Sequence, residues 1–522
     1  MTHLYKIRDK QGNSILFKPN QMQMRYIVDR GAHHYNLLLK ARQFGFTTYH
    51  CIDYLDESLW VPGMTTAILA HEQKSLEEIF QIVKRAYDSM PEQLKPKTKT
   101  NTVRMYRFTN RFDGLPLDSS IYVSLTLRSG TVQKLHISEG AYIKDRQELN
   151  TGSKQAVPKT GYITEETTGN GFEDFYDTYD FYDSKEHKGE FDYYTHFFPW
   201  IENSEYAIPG TIEEYSRDEI LIEQVAKQHY SVDVTDQQLL WRRWKMDQLR
   251  QKQEGVGLSG AQLFKQEYPL TKTEAFQSGF GSVFDATIID AMKPPPPLDL
   301  NTVLSNFQQK EAQNPGQFTR QIELLRKIKE REVWIWKLPE VGHKYALGCD
   351  PSDGTQGGDY SGGSVYDDET QEQVAQYYGK LRPDYLAQLL AVMGEFYNEA
   401  YIGVENNMLS TILILKDIYK NYHTTVKIDK RTKETTKKLG FTTDSQSRDV
   451  LIDDFIKGWE DGVVGINSKV TLSQMKTFIK KENGKREHAD GKNDDALFSD
   501  MIALQMRKYN KPKVRTFAQK AI

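Results

Sequence analysis

Short apolar runs alternate with helical patterns from residue 20 to about 210, and this alternation constrains the fold more than any other feature of the chain. Tyr35-Leu39, Ala67-Ala70, Leu135-Ile137 and Tyr162-Thr164 read as strands, and Gln73-Met90 reads as a helix. Such an order predicts an α/β unit with a mainly parallel sheet, because each crossover helix buries its apolar stripe on the sheet it has just left. Residues 172–200, crowded with Asp, Tyr and Phe, read as loops and short strands at one edge. The segment at about 212–280 reads as helical, with Trp241 and Trp244 in its core. Four consecutive prolines at 294–297 stop any regular element, and a polar helix reads around 308–331, leading into Val333-Trp336 where the second sheet begins. At 522 residues the chain is long enough for two domains. The boundaries read as a first domain at 1–285, a linker region at 286–335, a second domain at 336–511 and a tail at 512–522.

Three acidic positions stand at element ends in the last third of the chain. Asp350 follows Tyr345-Ala346-Leu347-Gly348 and precedes a Gly-rich turn that returns into a strand around Gly363-Val365. Glu405 follows the strand Tyr401-Ile402-Gly403-Val404. Asp494 and Asp495 open an amphipathic helix that continues through Met501-Ile502-Ala503-Leu504. Strand, strand and helix carrying one acid each, in this order, is the ribonuclease-H-like nuclease plan. Hard oxygen ligands of this kind suit Mg²⁺ or Mn²⁺. Two ions about 3.5–4 Å apart would activate a water and stabilise the leaving oxygen of a phosphodiester. Either Asp494 or Asp495 completes the set, with Asp495 favoured as nearer the helix start. Asp353 and Asp359 in the Gly-rich turn either modulate the metals or cap the turn.

The first domain carries a second signal, Lys40-Ala41-Arg42-Gln43-Phe44-Gly45-Phe46-Thr47-Thr48, directly after a strand. A strand, a tight basic loop with Gly and then Thr-Thr opening a helix is how a phosphate-binding loop is built, with backbone N–H groups facing the anion. Lys40 stands where the first Gly of the usual motif belongs and Phe46 where its Lys belongs, so Lys40 or Arg42 must compensate the phosphate charge. Thr47 keeps the hydroxyl expected on Mg²⁺. Downstream, Leu135-His136-Ile137-Ser138-Glu139 reads as a strand ending in a polar-acidic pair. In P-loop ATPases with an added strand, the acid at that place orients the attacking water, which makes Glu139 the candidate. Ser138 replaces the usual Asp. Thr167, after the strand at Tyr162, is the candidate sensor of the γ-phosphate.

Composition narrows the partners. A net charge of −4 excludes a uniformly basic coat, so any DNA contact must come from local patches. The basic stretch 427–438 reads as a hairpin beside the acids that guides a phosphate backbone without reading sequence. Only Cys51 and Cys349 occur, neither in a metal-ligand spacing, which argues for a reducing compartment. No apolar run approaches the roughly 18–20 residues of a membrane span. The expectation is a cytoplasmic protein without a membrane partner.

Taken in order, these motifs resemble those of the large subunit of a tailed-bacteriophage terminase, a DNA-packaging ATPase and nuclease. KARQFGFTT is similar to that family's displaced Walker A motif, LHISEGAYI to its Walker B and EETTGNG to its coupling motif. HFFPW at 196–200, LTKTEAFQSG at 270–279, GVENN at 403–407, GFTTDSQSR at 440–448 and KNDDAL at 492–497 are similar as well. The resemblance implies ATP with Mg²⁺ on Lys40, Arg42, Gln43, Gly45, Thr47 and Thr48, with Gln23 or Gln21 reading adenine. It implies nuclease metals on Asp350, Glu405 and one of Asp494 or Asp495. The partners it implies are double-stranded viral DNA, a small terminase subunit, the portal protein of the procapsid and further copies of the chain in a ring, all in the host cell cytoplasm. The alternative is an ATP-dependent helicase or recombination nuclease not tied to a capsid.

Overall fold

A computed structural model of the chain describes residues 3–31, 33–127, 130–251, 260–277, 281–355, 358–428, 435–481 and 483–510. The chain divides into two compact units, Met1–Gly281 with Ala286–Ala291, and Ser282–Asp285 with Met292–Ile522.

In the first unit the main elements are α1 (Gln21–Arg30), β1 (Tyr35–Lys40), α2 (Phe46–Trp60), β2 (Thr65–Leu69), α3 (Gln73–Asp88), β3 (Lys97–Asn101), β4 (Met105–Asn110), β5 (Pro116–Ser124), β6 (Lys134–Ser138), β7 (Tyr162–Thr167), α4 (Asp174–Ser184) and β8 (Tyr193–Phe198). They form an eight-stranded sheet in the order β8-β1-β7-β6-β2-β5-β4-β3. Pairing is parallel from β8 to β5, and β5, β4 and β3 meander antiparallel. Leu37, Leu38, Leu39, Ala67, Ile68, Leu69, Leu135 and Ile137 are fully buried, as expected for strands covered on both faces. At the C-terminal strand ends the apolar runs give way to Lys40, Ser138, Glu166 and Thr167. That edge is where open α/β sheets bind ligands.

Two local expectations change. The stretch 172–200 holds α4 ahead of the edge strand β8; Phe175, Tyr176 and Tyr179 form its buried stripe, while the interspersed Asp residues mask the periodicity in sequence. Helices α5 (Arg217–Tyr230), α6 (Asp236–Gln251) and α7 (Gly260–Glu267) follow. Gln238, Leu239, Trp241 and Arg242 define the buried stripe of α6, and Trp244 falls past its margin with 43 % of its surface exposed.

The second unit begins where a linker was expected. Its main elements are α8 (Leu300–Gln313), α9 (Thr319–Lys329), β9 (Trp334–Ile335), β10 (Tyr345–Asp350), β11 (Ser361–Asp367), β12 (Gln373–Gly379), α10 (Pro383–Phe396), β13 (Tyr401–Val404), β14 (Thr424–Ile428), β15 (Thr435–Leu439), α11 (Ser445–Glu460) and α12 (Asp495–Tyr509). The span 286–335 therefore carries a short helix, Ala286–Ala291, which belongs to the first unit, followed by α8 and α9, whose Val303, Leu324, Leu325 and Ile328 enter the core of the second unit. The single polar helix expected around 308–331 is thus broken at 314–318 into α8 and α9, and its apolar stripe is buried. The five-stranded sheet runs β9-β12-β11-β10-β13, antiparallel except for the parallel pair β10/β13. Strands β14 and β15 pair as the expected hairpin, whose tip at 429–434 lies outside the described residues. So does the expected tail at 512–522.

Candidate functional site

In the first unit, Ala41 to Gly45 turn the chain from β1 into α2. Gln43 (φ 60°) and Gly45 (φ 73°) adopt the left-handed conformation, and no side chain caps the first turn of α2. Uncapped N–H groups at a helix start form an anion site. The loop is braced from α1. Asn20 Nδ2 donates to Phe44 O at 3.0 Å, Gln23 Nε2 donates to Gly45 O at 2.8 Å, and Gln23 Oε1 accepts from Asn20 N–H at 3.0 Å. Gln23 thus has both ends of its amide engaged on the loop and the helix cap, and Gln21 is exposed. Phe46, standing where a Lys was sought, packs against Phe198 and Tyr26. Thr48 is partly buried in the first turn of α2.

Lys40 supplies the buried cation. It is 4 % exposed, and its Nζ lies 3.1 Å from Glu139 Oε1. Burial works to lower its pKa, but Glu139 and Glu166 outweigh burial and hold it above the ordinary value. Arg42 is turned to α7, with Nε 2.5 Å from Glu267 Oε2. Glu139 sits just past β6 at φ 53°, ψ 51°, a strained conformation for a residue with a side chain. Its Oε2 accepts from Thr168 N–H at 3.2 Å, and Thr167 Oγ1 accepts from Ala141 N–H at 3.3 Å. The ends of β6 and β7 are therefore tied at Glu139, expected to orient the attacking water, and at Thr167, expected to sense the γ-phosphate.

Glu166 was absent from the sequence candidates. In the parallel register Ser138 pairs with Glu166, which also pairs with Leu38 on β1, two residues before Lys40. Side chains two apart on a strand share a face, so Lys40, Ser138 and Glu166 crowd one spot. The Thr47 hydroxyl donates to Glu166 Oε1 and lies 3.3 Å from Ser138 Oγ. Glu166 is fully buried, and its Oε2 has no hydrogen-bond partner. Burial drives its pKa up, but Lys40 and the His136 and Thr47 hydrogen bonds hold it below the ordinary value. Neighbouring Glu165 points to the opposite face, against Arg146 and Lys154.

In the second unit, the parallel pair β10/β13 brings Asp350 and Glu405 out of the sheet at the same end, with Glu405 N–H donating to Cys349 O at 2.9 Å. Gly362 on β11 pairs with Asp350. A Cβ at Gly362 would lie 2.3 Å from Asp495 O, so the missing side chain lets the start of α12 come down beside Asp350. Asp494 is the residue preceding that helix, and Asp495 is its first.

The four acids perturb one another. Burial pushes the Asp350 carboxyl well up, helped by Glu405, Asp495 and Asp494, and Asp350 donates a hydrogen bond to Glu405. Burial also raises Glu405, against the pull of that hydrogen bond and of Arg448. Asn407 Nδ2 donates to Glu405 Oε2 at 2.8 Å, and the Thr443 hydroxyl donates to Oε1. Asp495 is pushed up to about 7 by burial and by Asp494, with a smaller push from Asp359. Burial raises Asp494, opposed by His488 and Arg448. Arg448 lies 3.4 Å from Asp494 Oδ2 and stacks on Phe498 at 4.0 Å. Asp353 instead caps its turn, accepting from Thr355 N–H at 3.0 Å.

Among the described residues, no group of three or more His, Cys, Asp and Glu side chains is posed to hold a metal ion. The donors nonetheless fit one. They are all-oxygen, burial beside Glu405 pushes the Asp350 carboxyl up, and Asp495 Oδ2 is buried without a hydrogen-bond partner. A divalent cation would replace those protons.

No family model matches the chain, and no curated protein matches it. Solved structures do. The HK97 bacteriophage large terminase is similar at 9 % identity over 94 % of this chain and 95 % of that one, with a TM-score of 0.37. The chain resembles phage large terminases. The large terminase nuclease from thermophilic phage G20c matches at 20 % identity over 33 % of this chain and 87 % of that one, with a TM-score of 0.28. The Thermus phage P74-26 large terminase ATPase domain matches at 14 % identity over 49 % of this chain and 94 % of that one, with a TM-score of 0.33.

Proposed function

We propose that the chain is a viral DNA-packaging motor of the large terminase type, an ATP hydrolase joined to a metal-dependent DNA endonuclease. The observation that carries the reading is structural: the parallel pair β10/β13 and the start of α12, admitted by bare Gly362, deliver Asp350, Glu405, Asp494 and Asp495 to the same end of the sheet. Surface acids without a cation to bind gain nothing from such an arrangement, because burying like charges together is unfavourable.

In the first unit, phosphates of ATP enter between the α2 start and Lys40. They displace Glu139 from the Lys40 ammonium, which frees that carboxylate to direct a water at the γ-phosphate. Arg42 exchanges Glu267 for phosphate in the same way. Because Thr168 N–H binds Glu139, loss of the γ-phosphate is felt at Thr167 and along β7, the route by which hydrolysis moves a DNA-gripping surface. In the second unit, Mg²⁺ or Mn²⁺ held by Asp350, Glu405 and Asp494 or Asp495 would supply Lewis-acid activation of water and stabilise the leaving oxygen. Asn407 and Thr443 orient Glu405, Arg448 balances Asp494, and Lys437 and Lys438 on the hairpin offer a path for a phosphate backbone. Double-stranded viral DNA, a small terminase subunit, the portal protein of the procapsid and a ring of identical chains are the partners this role requires.

Two variants test the reading. Asp350→Asn abolishes Mn²⁺-dependent plasmid cutting and spares ATP hydrolysis; Glu139→Gln does the reverse. Unchanged activity in both variants removes the assignment.

A further inference from the structure

The strand end that should carry a metal-facing Asp carries Ser138 instead, and a hydroxyl cannot offer the charge of a carboxylate to a divalent cation. The neighbouring strand makes up the loss. We propose that Glu166 supplies the carboxylate facing the divalent cation of the bound nucleotide, in the place left by Ser138, and acts together with Thr47. This inference rests on the ATPase reading above and names the residue that completes its cation site.

Three observations support it independently of the motif. First, the parallel register sets Glu166 directly across from Ser138 on the same face, so a longer side chain on β7 reaches the space that a short one on β6 leaves open. Second, the Thr47 hydroxyl already bonds Glu166 Oε1 and also lies within 3.3 Å of Ser138 Oγ. The hydroxyl expected on the cation thus touches the proposed carboxylate. Third, Glu166 is fully buried with Oε2 lacking a hydrogen-bond partner, and leaving such an oxygen bare is unfavourable, more so when it is charged. A structural carboxylate has no reason to carry that cost. Glu165, one residue earlier, shows the contrast: it faces the other side of the sheet and is held by Arg146 and Lys154. His136 Nε2, 3.3 Å from Glu166 Oε1, fixes the carboxylate from within the sheet, as partners of metal-binding carboxylates do.

The division of labour follows. Glu166 faces the cation beside Thr47, while Glu139, at the turn beyond β6, faces the γ-phosphate and the water. Lys40 lies between them and neutralises both until nucleotide arrives.

The test uses the full chain and reads metal binding directly. All proteins, the parent included, carry Asp350→Asn to remove the cation site of the second unit. Mn²⁺ is titrated by electron paramagnetic resonance in the presence of a non-hydrolysable ATP analogue, and binding of a fluorescent ATP analogue is measured separately in EDTA. Glu166→Gln is expected to weaken Mn²⁺ in the ternary complex by about 10–100-fold while nucleotide affinity in EDTA changes less than about twofold. Adding Ser138→Asp to that variant is expected to restore Mn²⁺ affinity. If Glu166→Gln holds Mn²⁺ as tightly as the parent, or loses nucleotide in EDTA to the same degree, Glu166 is a structural residue and the proposal is overturned while the ATPase reading stands. If the parent itself shows no metal-dependent nucleotide binding, the ATPase reading fails and the proposal with it. Should Glu166→Gln not fold, Glu166→Asp provides the same readout: reduced Mn²⁺ affinity supports the proposal and parental affinity overturns it.

Discussion

Seating of α12 on the sheet decides whether Asp494 and Asp495 reach Asp350, and glycine substitutions probe it. An ideal Cβ at Gly348 would stand 2.2 Å from Ala503 N and 2.3 Å from Ser499 O; at Gly362 it would stand 2.3 Å from Asp495 O. These obstacles are helix backbone, so the helix must recede by about 1 Å to restore ordinary contact, and a gap of that order forfeits a quarter to a half of the local packing energy. Leu497, Phe498, Met501, Ile502 and Met506 are the large apolar side chains buried on α12. At about 2 kcal/mol each, the loss is about 2.5–5 kcal/mol. Gly→Ala returns about 0.4–1 kcal/mol by restricting the unfolded chain, leaving a net loss of about 2–4 kcal/mol. Gly403 is the internal control: the atoms nearest its Cβ would be Sδ, Cγ and Cε of the Met506 side chain, and a flexible thioether moves at a cost below about 1.5 kcal/mol. Thermal melting of the full chain should show the second unit losing about 5–15 °C in Gly348→Ala or Gly362→Ala, with faster amide exchange across Asp495–Tyr509 and loss of cutting. Equal behaviour of Gly348→Ala and Gly403→Ala would refute the argument that helix backbone, pressed on bare glycine, positions the acids.

Buried Asp500 accepts from Gln373 Nε2 and Thr471 Oγ1, and its pKa is raised from 3.8 to about 7, chiefly by burial. Its raised folded value means that the neutral form favours folding at acid pH and that this support drains away as pH climbs from about 4 to about 7. Asp500→Asn should therefore stabilise the second unit by up to about 4 kcal/mol at pH 8 and by little at pH 4, and an equal gain at both pH values contradicts the account. Gln23→Ala strips the loop carbonyls of their donor, which costs about 1–3 kcal/mol. The Michaelis constant should rise about equally for ATP and GTP, whereas a rise confined to ATP would mean that Gln23 reads adenine. Lys40→Ala leaves Glu139 and Glu166 without their shared cation, and breaking a buried pair costs about 3–5 kcal/mol. Calorimetry should show the first unit melting early, and combining it with Glu139→Gln and Glu166→Gln should recover much of the loss.

The α/β alternation of the first unit was legible because buried parallel strands are nearly continuous apolar runs, and β1, β2, β6 and β7 sit where those runs predicted. Charged and aromatic residues interleaved at short spacing hid α4, whose narrow buried stripe is outnumbered by solvated neighbours. The helical stretch expected around 308–331 is two helices, α8 and α9, because Asn314-Pro315-Gly316 breaks it.

Sequence by itself determined the local chemistry: a strand that ends in Lys40 and turns into Thr47, an acid at the end of each of two strands and at the start of a helix, and a Ser where an Asp was due. Those are properties of residues in a short window. Tertiary structure alone decided which carboxylate answers for Ser138, because Glu165 and Glu166 are equivalent in sequence and only the inter-strand register sends one to Thr47 and the other to Arg146 and Lys154. It likewise decided that Gln23 braces a loop and that bare glycines draw α12 onto Asp350. Contacts between residues far apart in the chain depend on register and on close approach of backbones, neither of which a local pattern encodes.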